Sequence, residues 1–347
     1  MLMRRRQFLS ALGGAAAAAA VAGCANQANR APAAGASATP AGSGFPVQVR
    51  HRYGTTTVPA APQRVVTLGQ TDHDALLALG VVPVAVAGFV DSDYSPARPW
   101  NEALLGPTPP VLNMLEIPFE KVAALQPDLV LGVMSGLTED DHTKLSAIAP
   151  TVAQPVDHED WAVPFPAHTR LVGAALGRAA EADRLVTELE AAFAEVRAQN
   201  PVLVGKRAAC AELWGADFAV LGTGAPRTQF LTDVGMTFSG PLAALAGKGY
   251  NAPLSAEKVD LLDELDVVVW TTEHTDVDAL LDHEVVRRLR TTTEGRYLLA
   301  SNGGEDDLLY SMDWGSVLSN RWAIEHAVPR LIRAVDGDSS TDANSAG

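Results

Sequence analysis

The stretch that decides the fold runs from Ala167 to Asn200, AHTRLVGAALGRAAEADRLVTELEAAFAEVRAQN. Apolar side chains recur at Leu171, Ala175, Ala179, Ala182, Leu185, Leu189, Ala192, Phe193 and Val196, with charges between them. That is the period of a helix with one buried stripe. Pro164 and Pro166 precede it and Pro201 follows it, so both ends are bounded. A helix of roughly 30 residues spans about 45 Å, more than one small domain is wide. The stripe is mostly Ala rather than Leu at heptad spacing, which argues against a coiled-coil partner. One long helix inside a single large core is the competing reading. A spine over residues 164 to 200 joining two lobes is the reading that organises the rest of the chain.

A chain of 347 residues is long enough for two domains with their own cores. The formal charge is −15, and removing the first 24 residues takes away three arginines and no acid, leaving −18. Nucleic-acid binding needs a basic footprint, and this chain has none. The two cysteines exclude a disulfide framework. Cys210, in the apolar run RAACAEL, reads as a small core residue.

Residues 1 to 24, MLMRRRQFLSALGGAAAAAAVAGC, place a basic segment before a short apolar one, the pattern of an export signal. Arg5-Arg6-Gln7-Phe8-Leu9 resembles a twin-arginine signal, with Sec export as the alternative. Val21-Ala22-Gly23-Cys24 resembles a bacterial lipobox, with the Cys24 thiol as acyl acceptor. The expected location is the outer face of the cell membrane, held by a lipid anchor. Residues 25 to 45 read as a flexible tether rich in Ala, Gly, Ser and Pro, and residues 336 to 347 as a disordered tail.

Residues 46 to 163 and 201 to 335 each alternate short β-rich runs with short helical ones. The first lobe predicts strands at 64–68, 81–86, 128–133 and from 151, and helices at 72–79, 120–126 and 142–148. The second predicts strands at 207–213, 218–221, 267–270 and 297–300, and helices at 229–234, 255–262, 278–290 and 315–335. Such alternation argues for α/β lobes with mostly parallel sheets, the ligand edge lying at the loops after the strands. Two echoes tie the lobes together. Leu76-x-x-Leu79-Gly80-Val81 matches Leu231-x-x-Val234-Gly235-Met236, and Glu120-Lys121-Val122 before LQPDLVLGV matches Glu257-Lys258-Val259 before LDELDVVVW.

These segments, with PQRVVTL, ALLALGVVPVAV, FEKVAALQPDLVL, KLSAIAPTV and the C-terminal WGSVLSNRWAIEHAVPRLI, resemble one known family over residues 55 to 335. It is the iron-siderophore, haem and cobalamin substrate-binding proteins of ABC importers, whose two α/β lobes are joined by one long helix. The resemblance implies a binding protein, not an enzyme, with a ferric siderophore as ligand and no covalent cofactor. It implies a membrane permease as partner, contacted by one glutamate per lobe at the positions of Glu120 and Glu257. The protein is expected to be a monomer. Arg227 matches a cleft arginine of the family's catecholate binders. Two further arginines of that pattern are replaced here by Met134 and Thr272, which favours a less charged hydroxamate or mixed-ligand chelate.

Aromatic side chains at loop ends suit a large, partly apolar chelate. Trp161, Trp214, Trp314, Tyr94 and Tyr250 are the candidates, with Gln70 and Thr71 after the first strand; core packing is the competing reading for Trp214 and Trp314. Haem or a corrinoid is the alternative ligand, and Tyr94, Tyr250 or His274 could then ligate haem iron. A non-transport envelope interaction module is the other alternative; it would leave Glu120 and Glu257 dispensable. No Cys/His cluster has metal-ligand spacing, and no nucleophile elbow or P-loop occurs. Asp72-His73-Asp74 reads as helix-start chemistry rather than a metal site, because consecutive side chains on a helix diverge.

Overall fold

The computed structural model describes residues 44–88, 94–272, 276–301 and 307–344. It opens with an antiparallel hairpin of β1 (Val47–His51) and β2 (Gly54–Val58), which the periodicity does not announce. The first lobe then runs β3 (Val65–Thr67), α1 (Asp72–Ala78), β4 (Val86–Gly88), α2 (Glu102–Leu105), β5 (Val111–Asn113), α3 (Phe119–Ala124), β6 (Leu129–Gly132), α4 (Glu139–Ser146) and β7 (Thr151–Ala153). β3 pairs in parallel with β6 and β6 with β7, while β4 pairs in parallel with β5. A parallel bridge between Val66 and Ala85 joins the two sets, so the strands lie in the order β5-β4-β3-β6-β7. The expected strand at 81–86 is displaced to Val86–Gly88.

The spine differs from the expected single helix. α5 (Phe165–Ala175) ends at Leu176, and α6 (Ala179–Gln199) starts afresh and packs back against it. Gly177 takes a left-handed φ of 64°. The Arg178 N–H reaches the Gly173 carbonyl at 2.7 Å, and the Gly177 N–H reaches Ala174 at 3.1 Å. This is a Schellman stop, which glycine permits without a Cβ penalty. Gly173 then lets the helices close together, since a Cβ there would lie 2.3 Å from that of Ala182. The crosspiece is therefore a pair of helices: α5 places Phe165 in the second lobe's core and Val172 and Ala175 in the first lobe's, and the longer member is α6, 21 residues long and about 31 Å end to end. Its Ala182 packs into the first lobe's core, and Val186, Leu189, Phe193 and Val196 pack into the second lobe's. Phe193 lies between Phe165 and Phe230, with ring centroids 6.2 and 5.9 Å away.

The second lobe runs β8 (Ala208–Trp214), β9 (Asp217–Leu221), α7 (Pro226–Asp233), α8 (Gly240–Ala246), β10 (Asn251–Pro253), a 3-10 helix at Ala256–Glu264, β11 (Val267–Thr271), α9 (Val277–Asp282), α10 (Arg290–Thr293), β12 (Tyr297–Leu299), α11 (Leu308–Trp314) and α12 (Ser319–Asp336). The expected helix at 255–262 is thus a 3-10 helix, and the one at 278–290 is interrupted after α9. The closing helix starts at Ser319 rather than 315, because Gly315 adopts a left-handed φ of 53° and ends α11.

Its strand order, β10-β9-β8-β11-β12, repeats that of the first lobe strand for strand. One difference stands out. β8 and β9 are joined by only Gly215 and Ala216, so they pair antiparallel, and β10 pairs antiparallel with β9. A crossover long enough to return a parallel strand needs a dozen residues or so.

Each sheet is buried on both faces. Ala208 and Cys210 of β8 face one cluster while Ala209 and Ala211 face the other; in β11, Val267 and Val269 oppose Val268 and Trp270 in the same way. Burial pushes the Cys210 thiol up to about 12. Part of the expected tail, residues 336 to 344, lies among the described residues and contacts the second lobe. Ala343 is buried, and the Asn344 side-chain carbonyl accepts from the Leu299 N–H at 2.7 Å, covering the edge of β12.

Candidate functional site

In both sheets the carboxyl ends of the parallel strands are followed by short loops, and these loops meet between the lobes. In the first lobe, β3 leads through Gln70 and Thr71 into α1. Gln70 is half-buried and Thr71 is buried, with its hydroxyl lacking a partner among the described residues. Asp72 accepts from the Val133 and Met134 amides at 2.9 Å each and contacts His168 Nε2 at 2.9 Å. The loops after β3 and β6 are thereby tied to α5. Burial alone would raise the Asp72 pKa, but His168 and the two amides hold it below the usual carboxylate range.

Asp74 ties the lobes to each other. It accepts from Trp100 Nε1 at 2.9 Å, from Asn101 Nδ2 at 2.7 Å and from Ser316 Oγ of the second lobe at 2.5 Å. Nearby, Arg98 donates to Asp307 at 2.7 Å and stacks over Tyr310, 3.7 Å from the ring centroid. Trp314 is buried at the centre of this boundary. Its ring lies 4.9 Å from His73, 5.4 Å from Trp100, 6.3 Å from Tyr310 and 6.5 Å from Tyr94. Burial lowers the His73 pKa, so its imidazole is neutral near pH 7. Asp72, His73 and Asp74 thus face three different sets of partners.

Trp161 sits on the first lobe's edge in a left-handed conformation, φ 61°, which costs a bulky residue roughly 1–3 kcal/mol. The loop that holds it is pinned. Arg52, in the β1–β2 turn, bonds Asp160 and the His158 carbonyl, and Gln154 Nε2 reaches Asp160 at 3.1 Å. The indole lies against Gly136, where an added Cβ would stand 2.8 Å from Nε1. Trp214 ends β8 and is 39% exposed.

Arg227 is placed differently from a free cleft arginine. Pro226 starts α7, and the Arg227 guanidinium turns into the second lobe, where it is buried. Its Nη2 reaches Glu212 at 2.6 Å and the Tyr250 hydroxyl at 3.2 Å, Nε reaches Asp313 at 3.1 Å, and Nη1 bonds Thr271. Tyr250 also donates to Asp313 at 2.5 Å. Four of the five guanidinium N–H groups are therefore occupied. Burial alone would weaken the guanidinium's hold on its proton, but Tyr250, Asp313 and Glu212 outweigh it. Burial, then Asp313, pushes the Tyr250 phenol far up, and burial does the same for Tyr94.

Glu120 and Glu257 are both exposed, in the first turns of α3 and of the 3-10 helix. These two elements enter the equivalent strands β6 and β11. Each starts on the carboxyl-end side of its sheet, so the two glutamates share the edge that carries the cleft rather than the opposite one. His274 and Cys24 lie outside the described residues. Among the described residues no group of His, Cys, Asp and Glu could hold a metal ion, and no helix is long and apolar enough to cross a membrane.

Arg98, Asp307, Asp313, Glu212 and Ser316 escape sequence reading. The partners in Arg98–Asp307 are 209 residues apart, and those in Asp74–Ser316 are 242 apart. The only local hint is the SPARPW segment, whose prolines argue for a rigid loop.

Residues 65–300 match a family model described as "Periplasmic binding protein". A periplasmic solute-binding protein from Mycobacterium smegmatis superposes with a TM-score of 0.73 at 34% identity, over 83% of this chain and 98% of that one. The Bacillus subtilis protein named "probable siderophore-binding lipoprotein YfiY" is 37% identical over 108 residues, 30% of this chain and 31% of its own. The Escherichia coli Fe(3+) dicitrate-binding periplasmic protein FecB is 28% identical over 157 residues, 45% of this chain and 51% of its own. The match therefore spans from about a third to half of the length of these two curated relatives.

Proposed function

The chain belongs to the periplasmic binding protein family, and on that premise we propose that it is a lipid-anchored, extracytoplasmic protein that captures a ferric siderophore between its lobes and delivers it to an ABC importer permease. The observation that carries this reading is the convergence of aromatic side chains from both lobes on one boundary. Tyr94 of the first lobe meets Trp314 of the second, which also meets Tyr310; Trp161 stands on the first lobe's edge against Gly136, and Trp214 ends β8 on the second lobe's. Gln70 and Thr71 supply polar groups after β3, while the Tyr250 hydroxyl is engaged by Arg227 and Asp313 within the second lobe. Flat apolar faces with a few fixed polar groups suit a bulky chelate. The names of YfiY and FecB point to ferric chelates as well.

Arg227 serves this site as a strut for Tyr250 and Glu212. An anionic catecholate complex would find its charge already taken, so a hydroxamate or mixed-ligand chelate fits better. Haem stays the alternative ligand: Tyr94 and Tyr250 hold their phenolic protons through burial in the metal-free protein and would have to exchange them for iron, and the third candidate, His274, lies outside the described residues. Quenching of intrinsic tryptophan fluorescence tests the reading against a panel of ferric hydroxamates, a ferric catecholate, haem and cobalamin. Saturable quenching by at least one ferric siderophore is expected, and a response only to haem or cobalamin would sink it.

Cys24 is the proposed acylation site. Cys24→Ala is expected to move the protein from the membrane fraction to the soluble extracytoplasmic fraction. A variant that still sediments with membranes would show that the anchor lies elsewhere.

A further inference from the structure

We propose that the cleft selects for charge: it prefers a ferric chelate whose periphery is cationic or neutral and discriminates against an anionic one. This inference rests on the ferric-siderophore reading. Two independent observations lead to it.

The first is the balance of ions where the lobes meet. Of the two guanidinium groups described above, Arg98, which bridges the lobes, is paired with Asp307, and Arg227, buried in the second lobe behind the boundary, is paired with Glu212 and Asp313. Asp74, fully buried, is satisfied by an indole, an amide and a hydroxyl, none of which is charged. His73 beside it is neutral. Asp72 has His168 as its partner. Five carboxylates thus face two guanidinium groups, and counting His168 as an imidazolium still leaves the carboxylates ahead by two. Low-dielectric walls carry such an excess further into a cleft than water would.

The second is the set of aromatic faces. An aromatic ring presents negative potential above its plane and attracts cations there. Arg98 over Tyr310 is one such contact already made inside the protein. Trp214, at the end of β8, keeps much of its ring open. A cationic arm on the ligand would meet both the carboxylate excess and these faces, whereas an anionic arm would find no unpaired arginine at this boundary.

The test uses the full mature chain and three ferric linear trihydroxamates. They share the neutral iron core and differ only in the terminal group: a free ammonium, its N-acetyl form or its N-succinyl form. A trianionic ferric tricatecholate is titrated alongside. Affinity is expected to fall from ammonium to acetyl to succinyl, roughly tenfold from end to end, about 1.4 kcal/mol. The spread should shrink as salt is raised, because added ions screen the excess charge. A succinyl form that binds as tightly as the ammonium form overturns the inference but leaves the siderophore reading standing, as does tight binding of the tricatecholate alone. No response to any of the four overturns both.

Discussion

Arg227→Ala is expected to destabilise the second lobe by about 3–5 kcal/mol, because it strands two carboxylates in a buried site. Glu212 and Asp313 lose their main partner, and Tyr250 loses one of its two contacts. Breaking a buried ion pair from one side costs far more than the pair contributes when intact, since the remaining charge keeps its desolvation penalty. For a protein of this size the drop in Tm is roughly 10 °C. Arg227→Lys is expected to recover only part of it, because an ammonium cannot reach Glu212, Asp313 and Thr271 from one planar fork. Thermal and denaturant unfolding of the three proteins decide the matter. Unchanged unfolding of Arg227→Ala with loss of chelate binding would make Arg227 a ligand contact and refute its role as a strut.

The double variant Glu120→Arg with Glu257→Arg is expected to retain chelate affinity and to lose uptake down to background. Both side chains are exposed at the starts of equivalent elements, and neither shows a hydrogen bond or ion pair with a described residue. A carboxylate there is favoured by the helix dipole, so reversing it costs only about 0.3–1 kcal/mol per site. The fold should survive, which separates docking from stability. Cellular uptake of labelled ferric chelate, beside the fluorescence titration, is the measurement. Uptake at the unmodified rate would mean the glutamates are dispensable and would favour an envelope module that works without a permease.

Some of this protein is local and therefore legible in the chain. The paired segments around Gly80 and Gly235 fold into the same helix stop. The Val81 and Met236 amides each reach back five residues, to Leu76 and Leu231, at 3.0 Å. A cap depends on half a dozen consecutive residues and on one glycine at positive φ, 72° and 100° here. The Glu120 and Glu257 segments likewise enter equivalent strands.

The sequence by itself thus determined the two lobes, the strand-and-helix alternation within them and the apolar stripe that crosses between them. Each rests on short-range periodicity and turn chemistry. It could not determine that the stripe is two helices. Both halves keep the helical period, and only the stop at Gly177 and the close packing of Gly173 against Ala182 reveal the fold-back. Nor could it show that Arg227 is consumed inside its own lobe, or that Asp74 and Arg98 bind the other lobe. Those outcomes depend on which charges become neighbours once more than 200 residues of intervening chain have folded. The tertiary structure decided them because a buried charge must find its partner in space, and the order of residues along the chain does not say who that partner is.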